Sequence, residues 1–424
     1  MSYSKEKNPI FHFILSAISL LIHFNCLLDN PALDNTLLLT SLLSSSGNSA
    51  DNNSSNTDET EANLIPIDLS LWTKRIKLTI DNSSQTEDLI DFPILVSIDS
   101  SFNYANTNLD GSDIRFSEST GTFRLDFEID TWAHGGLSYF WVKVPRIPAN
   151  SSTSFIWMYY GNPSATALDL GKSAWDSNYK AVYHLLDFSD STNNNNTLSA
   201  CDGLTNGSFG SIETAPSINN FLFGISRSFN GSTNCLRLPS NILSEGTIRG
   251  TIEMTILPFY GFLSSGDVWN LFSHSSTPES FSNNRLKMSI YNTSAIGCLP
   301  LSNSRLYVGL GNSFTDSCAG DSTFDIPVFS LNHLALSWNN GSYTVFRNNL
   351  KYTSTYNQTG LLANGLNEEI GLGARFNEPL KGYYSGIIDE VRLSDIPRSM
   401  QWINAQYLSK NNTYISLGIE ENVP

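Results

Sequence analysis

From Leu71 onward the chain alternates polar and apolar residues with a period of two. Arg75–Ile80 reads RIKLTI, which predicts a half-buried strand. Phe92–Ile98 (FPILVSI) predicts a second strand, with Pro93 near its start, where a missing N–H is tolerated. The turn Asp110-Gly111-Ser112-Asp113 leads into Ile114–Phe116. Phe123–Ile129 alternates again, and Tyr139–Val144 (YFWVKV) and Phe155–Tyr160 (FIWMYY) are the most apolar stretches. Turn signals separate these runs and no amphipathic helix interrupts them. The pattern predicts a small antiparallel β-sandwich over residues 69–172.

Five separated motifs in this region carry a resemblance. They are Trp72 with Arg75, Asp91-Phe92-Pro93, Asp110 through Phe116, Trp141-Val142-Lys143-Val144-Pro145, and Tyr159-Tyr160-Gly161-Asn162. In that order they resemble an uncharacterised bacterial extracellular domain that often precedes a laminin-G-like module. The resemblance implies surface exposure and no known chemistry. The second half, 173–424, resembles a concanavalin-A-like, laminin-G-like domain. The residues that carry this are Lys180–Leu185, Ser228–Gly231, Thr251–Leu257 (TIEMTIL), His333–Trp338, Thr344–Asn348, Gly371–Gly373 and Tyr384–Ser394. It implies a jelly roll of two large curved sheets. Beyond it, Arg398–Tyr407 predicts one short helix, and Tyr414–Ile419 a returning terminal strand. The fold class expected is therefore all-β, a small antiparallel sandwich followed by a jelly roll.

The N-terminal segment reads differently. Lys5 and Lys7 precede an apolar run, Ile10–Phe24, that stops at Asn25-Cys26. A basic head and a short apolar run predict a secretory signal over 1–25. The run is shorter than the ~20 residues of a bilayer span. Leu21, Ile22 and Asn25 before Cys26 resemble a bacterial lipobox of the loose spirochaetal type, with His23 and Phe24 departing from it. The resemblance implies a diacylated Cys26 as the new N-terminus, and anchorage in an outer membrane at the cell surface. An ordinary signal peptide with Cys26 incidental is the alternative. Residues 26–68 include Ser44–Asn63, which has too few apolar residues to offset its ordering entropy, and predict a disordered tether.

Cysteine usage agrees with export. The chain has five Cys. Setting Cys26 aside leaves Cys201, Cys235, Cys298 and Cys318, an even set that predicts disulfides in an oxidising compartment. Three connectivities are open, and spacing favours Cys201–Cys235 and Cys298–Cys318. The net charge is −16, from 40 acidic and 24 basic residues, with no basic cluster, so nucleic acid is excluded as a partner. An anionic membrane surface would repel the body, so membrane attachment rests on the lipid.

Catalytic templates are scarce. Glu128 and Asp130 sit at alternate positions of one strand, about 7 Å apart on one face, a separation compatible with glycoside hydrolysis. The solvated face of an alternating strand is the simpler reading. No G-x-S-x-G, H-E-x-x-H, P-loop or dinucleotide motif occurs. His184, inside an apolar strand, reads as a satisfied core histidine. Asp187, Asp190 and Asn193 form an oxygen-rich loop, from which calcium is the one cofactor expected. Trp132 with His134, Trp269, and Tyr383-Tyr384 lie beside turns and are carbohydrate candidates, with core packing the simpler reading for each. The expectation is a lipid-anchored surface protein that binds a glycan or an extracellular protein without catalysis. A surface glycosidase using Glu128 and Asp130, and a structural envelope lipoprotein, are the alternatives.

Overall fold

The computed structural model describes residues 65–168, 170–201, 212–214, 225–243, 248–259, 268–276, 285–292, 304–311, 317–355, 368–375 and 382–424. The expected signal segment, Cys26 and Cys298 lie outside them. The first half supplies β1 (Ile65–Pro66), β2 (Lys74–Ile80), β3 (Leu89–Ile98), β4 (Arg115–Ser117), β5 (Phe123–Arg124), β6 (Phe127–Thr131), β7 (Ser138–Ile147) and β8 (Ser154–Tyr160). The period-two runs thus become strands, with one exception. The run Phe123–Ile129 is two strands in two sheets. Leu125 still donates its N–H to Phe116 O (2.9 Å), while Asp126 O already accepts from Lys143 N (2.9 Å). The chain changes sheets between them.

The second half supplies β9 (Tyr179–Tyr183), β10 (Ser199–Ala200), β11 (Ile212–Thr214), β12 (Ile225–Asn230), β13 (Leu236–Leu238), β14 (Arg249–Pro258), β15 (Val268–Ser276) and β16 (Arg285–Tyr291). It continues with β17 (Arg305–Gly311), β18 (Ser317–Cys318), β19 (Asn332–Asn339), β20 (Ser342–Arg347), β21 (Leu350–Thr355), β22 (Glu368–Leu372) and β23 (Ser385–Ser394). Helix α1 (Met400–Lys410) and β24 (Ile415–Asn422) close the chain. The fold is all-β in antiparallel sheets. A seven-stranded sheet runs β10-β13-β22-β15-β16-β17-β18, and an eight-stranded sheet runs β11-β12-β23-β14-β19-β20-β21, with β9 beside the second half of β23. Their inner faces share one core, including Ile252, Met254 and Ile256 from one sheet and Leu286, Met288 and Ile290 from the other.

Two findings revise the expected boundaries. Ile65–Pro66, expected in the tether, pairs with β5 as an edge strand of the first sandwich. The terminal strand β24, expected within the jelly roll, pairs instead with β2, so the six-stranded sheet runs β1-β5-β4-β8-β2-β24. The three-stranded sheet β3-β7-β6 faces it across a second core.

Helix α1 makes that return possible. Ser399 caps it, accepting from Trp402 N at 3.1 Å. The helix covers the open edge of β3, where a row of unpaired backbone groups would otherwise face solvent. Ser409 Oγ accepts from Leu95 N (2.8 Å), and Gln406 Nε2 donates to Pro93 O (3.0 Å). Pro93, which lacks an N–H, sits at this edge. Trp402, Ile403 and Ala405 join the first sandwich's core, as do Val182, Ala335 and Phe346 from the jelly roll. The outer face of the eight-stranded sheet is therefore an internal interface.

Candidate functional site

A charged cluster is buried in that interface. It begins with two β-bulges. On β6 the register against β7 shifts between Ile129 and Thr131, leaving Asp130 as the extra residue. On β23 the register against β14 shifts between Glu253 and Thr255, and Glu390 takes φ +52° there. Such bulges re-aim side chains. Here they direct Asp130 and Glu390 at His184, the residue after β9.

His184 Nδ1 lies 2.6 Å from Glu390 Oε1 and 3.8 Å from Asp130 Oδ2, and Nε2 lies 3.3 Å from Glu128 Oε2. Both ring nitrogens face carboxylates, an arrangement that favours the doubly protonated ring. Glu128 is held in turn by Trp175 Nε1 (2.7 Å) and Ser191 Oγ (2.7 Å). Trp141 stacks on the imidazole with 6.3 Å between ring centroids. Arg392 bonds Glu390 Oε2, donates to Gln406 Oε1 (2.6 Å), and sits 4.0 Å above the Trp141 ring. Farther along, Lys410 Nζ donates to Thr255 Oγ1 (3.3 Å), and His333 Nε2 lies 3.7 Å from Glu253.

The electrostatics follow from burial and neighbours. Burial alone would lower the His184 pKa, but Glu390, Glu128 and Asp130 together hold it well above the ordinary histidine value. Burial would raise Glu128, and the His184 charge with its hydrogen bond brings it below the usual carboxylate range. Burial pushes Asp130 up to about 6, against the pull of His184. Asp389 is raised well above its usual value by burial and then by Glu390 and Asp130. Burial, aided by Arg392, lowers Lys410 to about 8.

The expected catalytic pair is thus committed to internal contacts rather than lining a cleft. Clefts of about 510 Å³ and 650 Å³ open elsewhere in the first sandwich, and neither is lined by Glu128 or Asp130. His184 is a satisfied buried histidine. The carbohydrate candidates are packed: Trp132 against Tyr104 and Phe140 with Nε1 bonded to Leu109 O (2.9 Å), and Trp269 against the fully buried Tyr384. His134 Nε2 lies 3.2 Å from Tyr104 O. Tyr383 packs against the cluster around Cys201 and Cys235, which are joined by a disulfide with Cα atoms 5.6 Å apart. Cys318 is also disulfide-bonded.

In the calcium loop, Asp190 Oδ1 accepts from Val182 N (3.0 Å) and Thr192 N (2.9 Å). Its Oδ2 accepts from Thr192 Oγ1 (2.9 Å) and Asn196 N (2.8 Å). Asp187 turns onto Ser189 N (2.7 Å), and Asn193 is exposed. Asp190 closes the loop onto β9.

Residues 110–199 match a family model described as a domain of unknown function, DUF2341. That stretch contains Glu128, Asp130, Trp141, Trp175, His184 and Ser191, so it supplies the first-sandwich side of the cluster and β9 together. No curated protein matches the chain. Among solved structures, domain 4 of AbnA, a GH43 extracellular arabinanase from Geobacillus stearothermophilus, in complex with arabinotriose, is similar. It has a TM-score of 0.38 and 18% identity over 54% of this chain and 98% of that one. The binding domain of Paraclostridial Mosquitocidal Protein 1 gives 0.40 and 15% over 55% of this chain and 52% of that one. A heptameric SAP-like pentraxin from Limulus polyphemus gives 0.29 and 15% over 42% and 78%. At these TM-scores no functional conclusion rests on them.

Sequence reasoning missed Glu253, Asp389, Glu390, Arg392, Gln406 and Lys410. The available signal was charge set inside otherwise apolar strands, in TIEMTIL and SGIIDEVRLS. Charged residues are almost never fully buried unless paired. Glu253 and Arg392 are nonetheless 1% and 0% exposed.

Proposed function

We propose that this is a non-catalytic surface binding protein, lipid-anchored through Cys26, that takes a glycan or an extracellular protein on its jelly roll. One observation carries the reading. The eight-stranded sheet spends its outer face on the first sandwich, whereas the seven-stranded sheet carries polar and aromatic side chains on the face away from the core, packed so that Lys287, Tyr307, Ser289 and Asn270 are buried and Tyr291 is half-buried. In that outer face Lys287 Nζ lies 5.2 Å from the Tyr291 ring and 5.9 Å from the Tyr307 ring, and it donates to Tyr291 Oη at 3.3 Å. Tyr291 and Tyr307 are 4.5 Å apart, and Ser289 Oγ donates to Asn270 Oδ1 (2.9 Å) alongside. A few fixed polar groups among aromatic rings are what ligand recognition uses.

An array of glycans and matrix proteins, run with calcium and with chelator, tests the reading. Binding by the wild type should be lost in Lys287→Met and Tyr291→Ala, with melting temperature retained. Binding indifferent to both changes would count against this face. Polysaccharide cleavage abolished by Glu128→Gln would replace the reading with the glycosidase. Cys26→Ala should move the protein from the detergent to the aqueous phase on partition, and unchanged partition would remove the anchor.

A further inference from the structure

We propose that Asp130, His184 and Glu390 form a site for one divalent cation of the zinc type, which staples the first sandwich to the jelly roll. The ligand atoms of these three residues lie within 4.8 Å of one another. They come from β6, from the residue after β9 and from β23, and two of them stand on the β-bulges described above.

The surroundings of the imidazole point the same way. A metal-ligating histidine usually donates its other ring N–H to a carboxylate that is itself anchored. His184 has that partner. Nε2 faces Glu128 Oε2 at 3.3 Å, and Glu128 is fixed by Trp175 and Ser191. Nδ1 faces the other two ligands. Three carboxylates lie within 4 Å of one imidazole, and Arg392 bonds only one of them, Glu390. Asp389, which follows Ile388 on β23, adds a fourth buried carboxylate. Four carboxyl groups therefore stand around the centre of the cluster. The Tyr139 hydroxyl, 2% exposed, makes no hydrogen bond among the described residues, and its charge interactions are with Asp130 and Asp389.

One imidazole nitrogen and two carboxylate oxygens suit zinc and its first-row neighbours. Calcium prefers six to eight oxygens, which this site does not offer. Zinc bonds of about 2.0–2.1 Å put tetrahedral donors about 3.3 Å apart, so on binding Asp130 Oδ2 closes on Nδ1 from 3.8 Å while Glu390 Oε1 opens from 2.6 Å to admit the ion. Binding replaces the proton on Nδ1. The metal takes that lone pair, the proton leaves to solvent, and the Nε2 proton stays on the hydrogen bond to Glu128.

The test uses the full chain, analysed for metal as isolated and again after unfolding and refolding with zinc or cobalt(II). One equivalent should bind, with release of protons in unbuffered solution, and cobalt should show the visible bands of a tetrahedral site. Asp130→Asn, which preserves shape, should abolish stoichiometric uptake. Glu128→Gln touches no metal and should weaken affinity about 10–100-fold, as removal of such an orienting partner does. His184→Gln should also lose the metal, and circular dichroism of each variant confirms that it is folded. Failure of the wild type to take up zinc or cobalt on refolding would overturn the proposal. So would uptake that Asp130→Asn and Glu128→Gln leave unchanged.

Discussion

Gln406→Leu tests whether the two β units are one cooperative structure. Gln406 is fully buried, and its amide works in two directions. It accepts from Arg392 Nη1 at 2.6 Å, on the jelly roll, and donates to Pro93 O at 3.0 Å, on the edge of the first sandwich. Leucine has nearly the same volume, so the packing term is small. What remains is a buried guanidinium N–H and a buried carbonyl without these partners. Each such group costs about 1–3 kcal/mol, with charged groups at the upper end. The sum is on the order of 4 kcal/mol, a large part of the ~5–15 kcal/mol typical of a folded chain. Ser409→Ala provides the internal scale. It removes two neutral bonds, from Leu95 N at 2.8 Å and a longer one to Leu95 O at 3.4 Å, and should cost about 1–2 kcal/mol. Urea unfolding with fixed slope measures both, and amide exchange at Leu95 should speed up in each. A Gln406→Leu variant within 1 kcal/mol of wild type would refute the reasoning, because it would mean that the helix only rests on β3.

Three further outcomes follow from other parts of the fold. Cys201→Ala with Cys235→Ala opens a loop with sequence separation 34, and should cost about 4 kcal/mol in the chain-entropy account, read by thermal melting. Gly250→Ala places a Cβ 2.5 Å from the Trp338 ring and 2.9 Å from Ser394 O, and overpacking there should cost about 1–3 kcal/mol by urea unfolding. Asp190→Ala leaves the N–H groups of Val182, Thr192 and Asn196 without their acceptor and should lower stability by about 3 kcal/mol or more, whether calcium or chelator is present; a calcium-dependent melting shift that this change abolishes would instead assign the loop to the metal.

The strand around Ile76 was legible because it buries one face and shows period two. The runs around Val96, Val142 and Met158 are buried on both faces for much of their length and were legible as short apolar stretches bounded by turn signals. Phe123–Ile129 was misread as one strand because both halves alternate in phase, and only the opposing sheets decide where the chain crosses. The fate of β24 was not legible for another reason. Its burial pattern is mostly exposed, and its partner β2 lies more than three hundred positions earlier. Local sequence carries no information on a pairing that distant. Glu128 and Asp130 stood out as a pattern, yet their meaning depended on His184 and on Glu390, and on two bulges that no periodicity announces.

The cluster also constrains what the jelly roll can be. A sheet whose outer face buries Glu253, Asp389, Glu390 and Arg392 was not built to meet water there. Exposed alone, the same face would keep its charges hydrated but lose Val182, Ala335 and Phe346 from a shared core. Replacing buried ion pairs with apolar residues is often neutral or stabilising, so raw stability does not explain their retention. Position does. Glu128 and Asp130 of β6 and Glu390 of β23 all meet at His184, so the cluster ties the first sandwich to the sheet at one point. The chain ends then reinforce it, since α1 and β24 return to seal β3 and extend β2. The seven-stranded sheet, on the other side of the jelly-roll core, is thereby held in one orientation to the first sandwich.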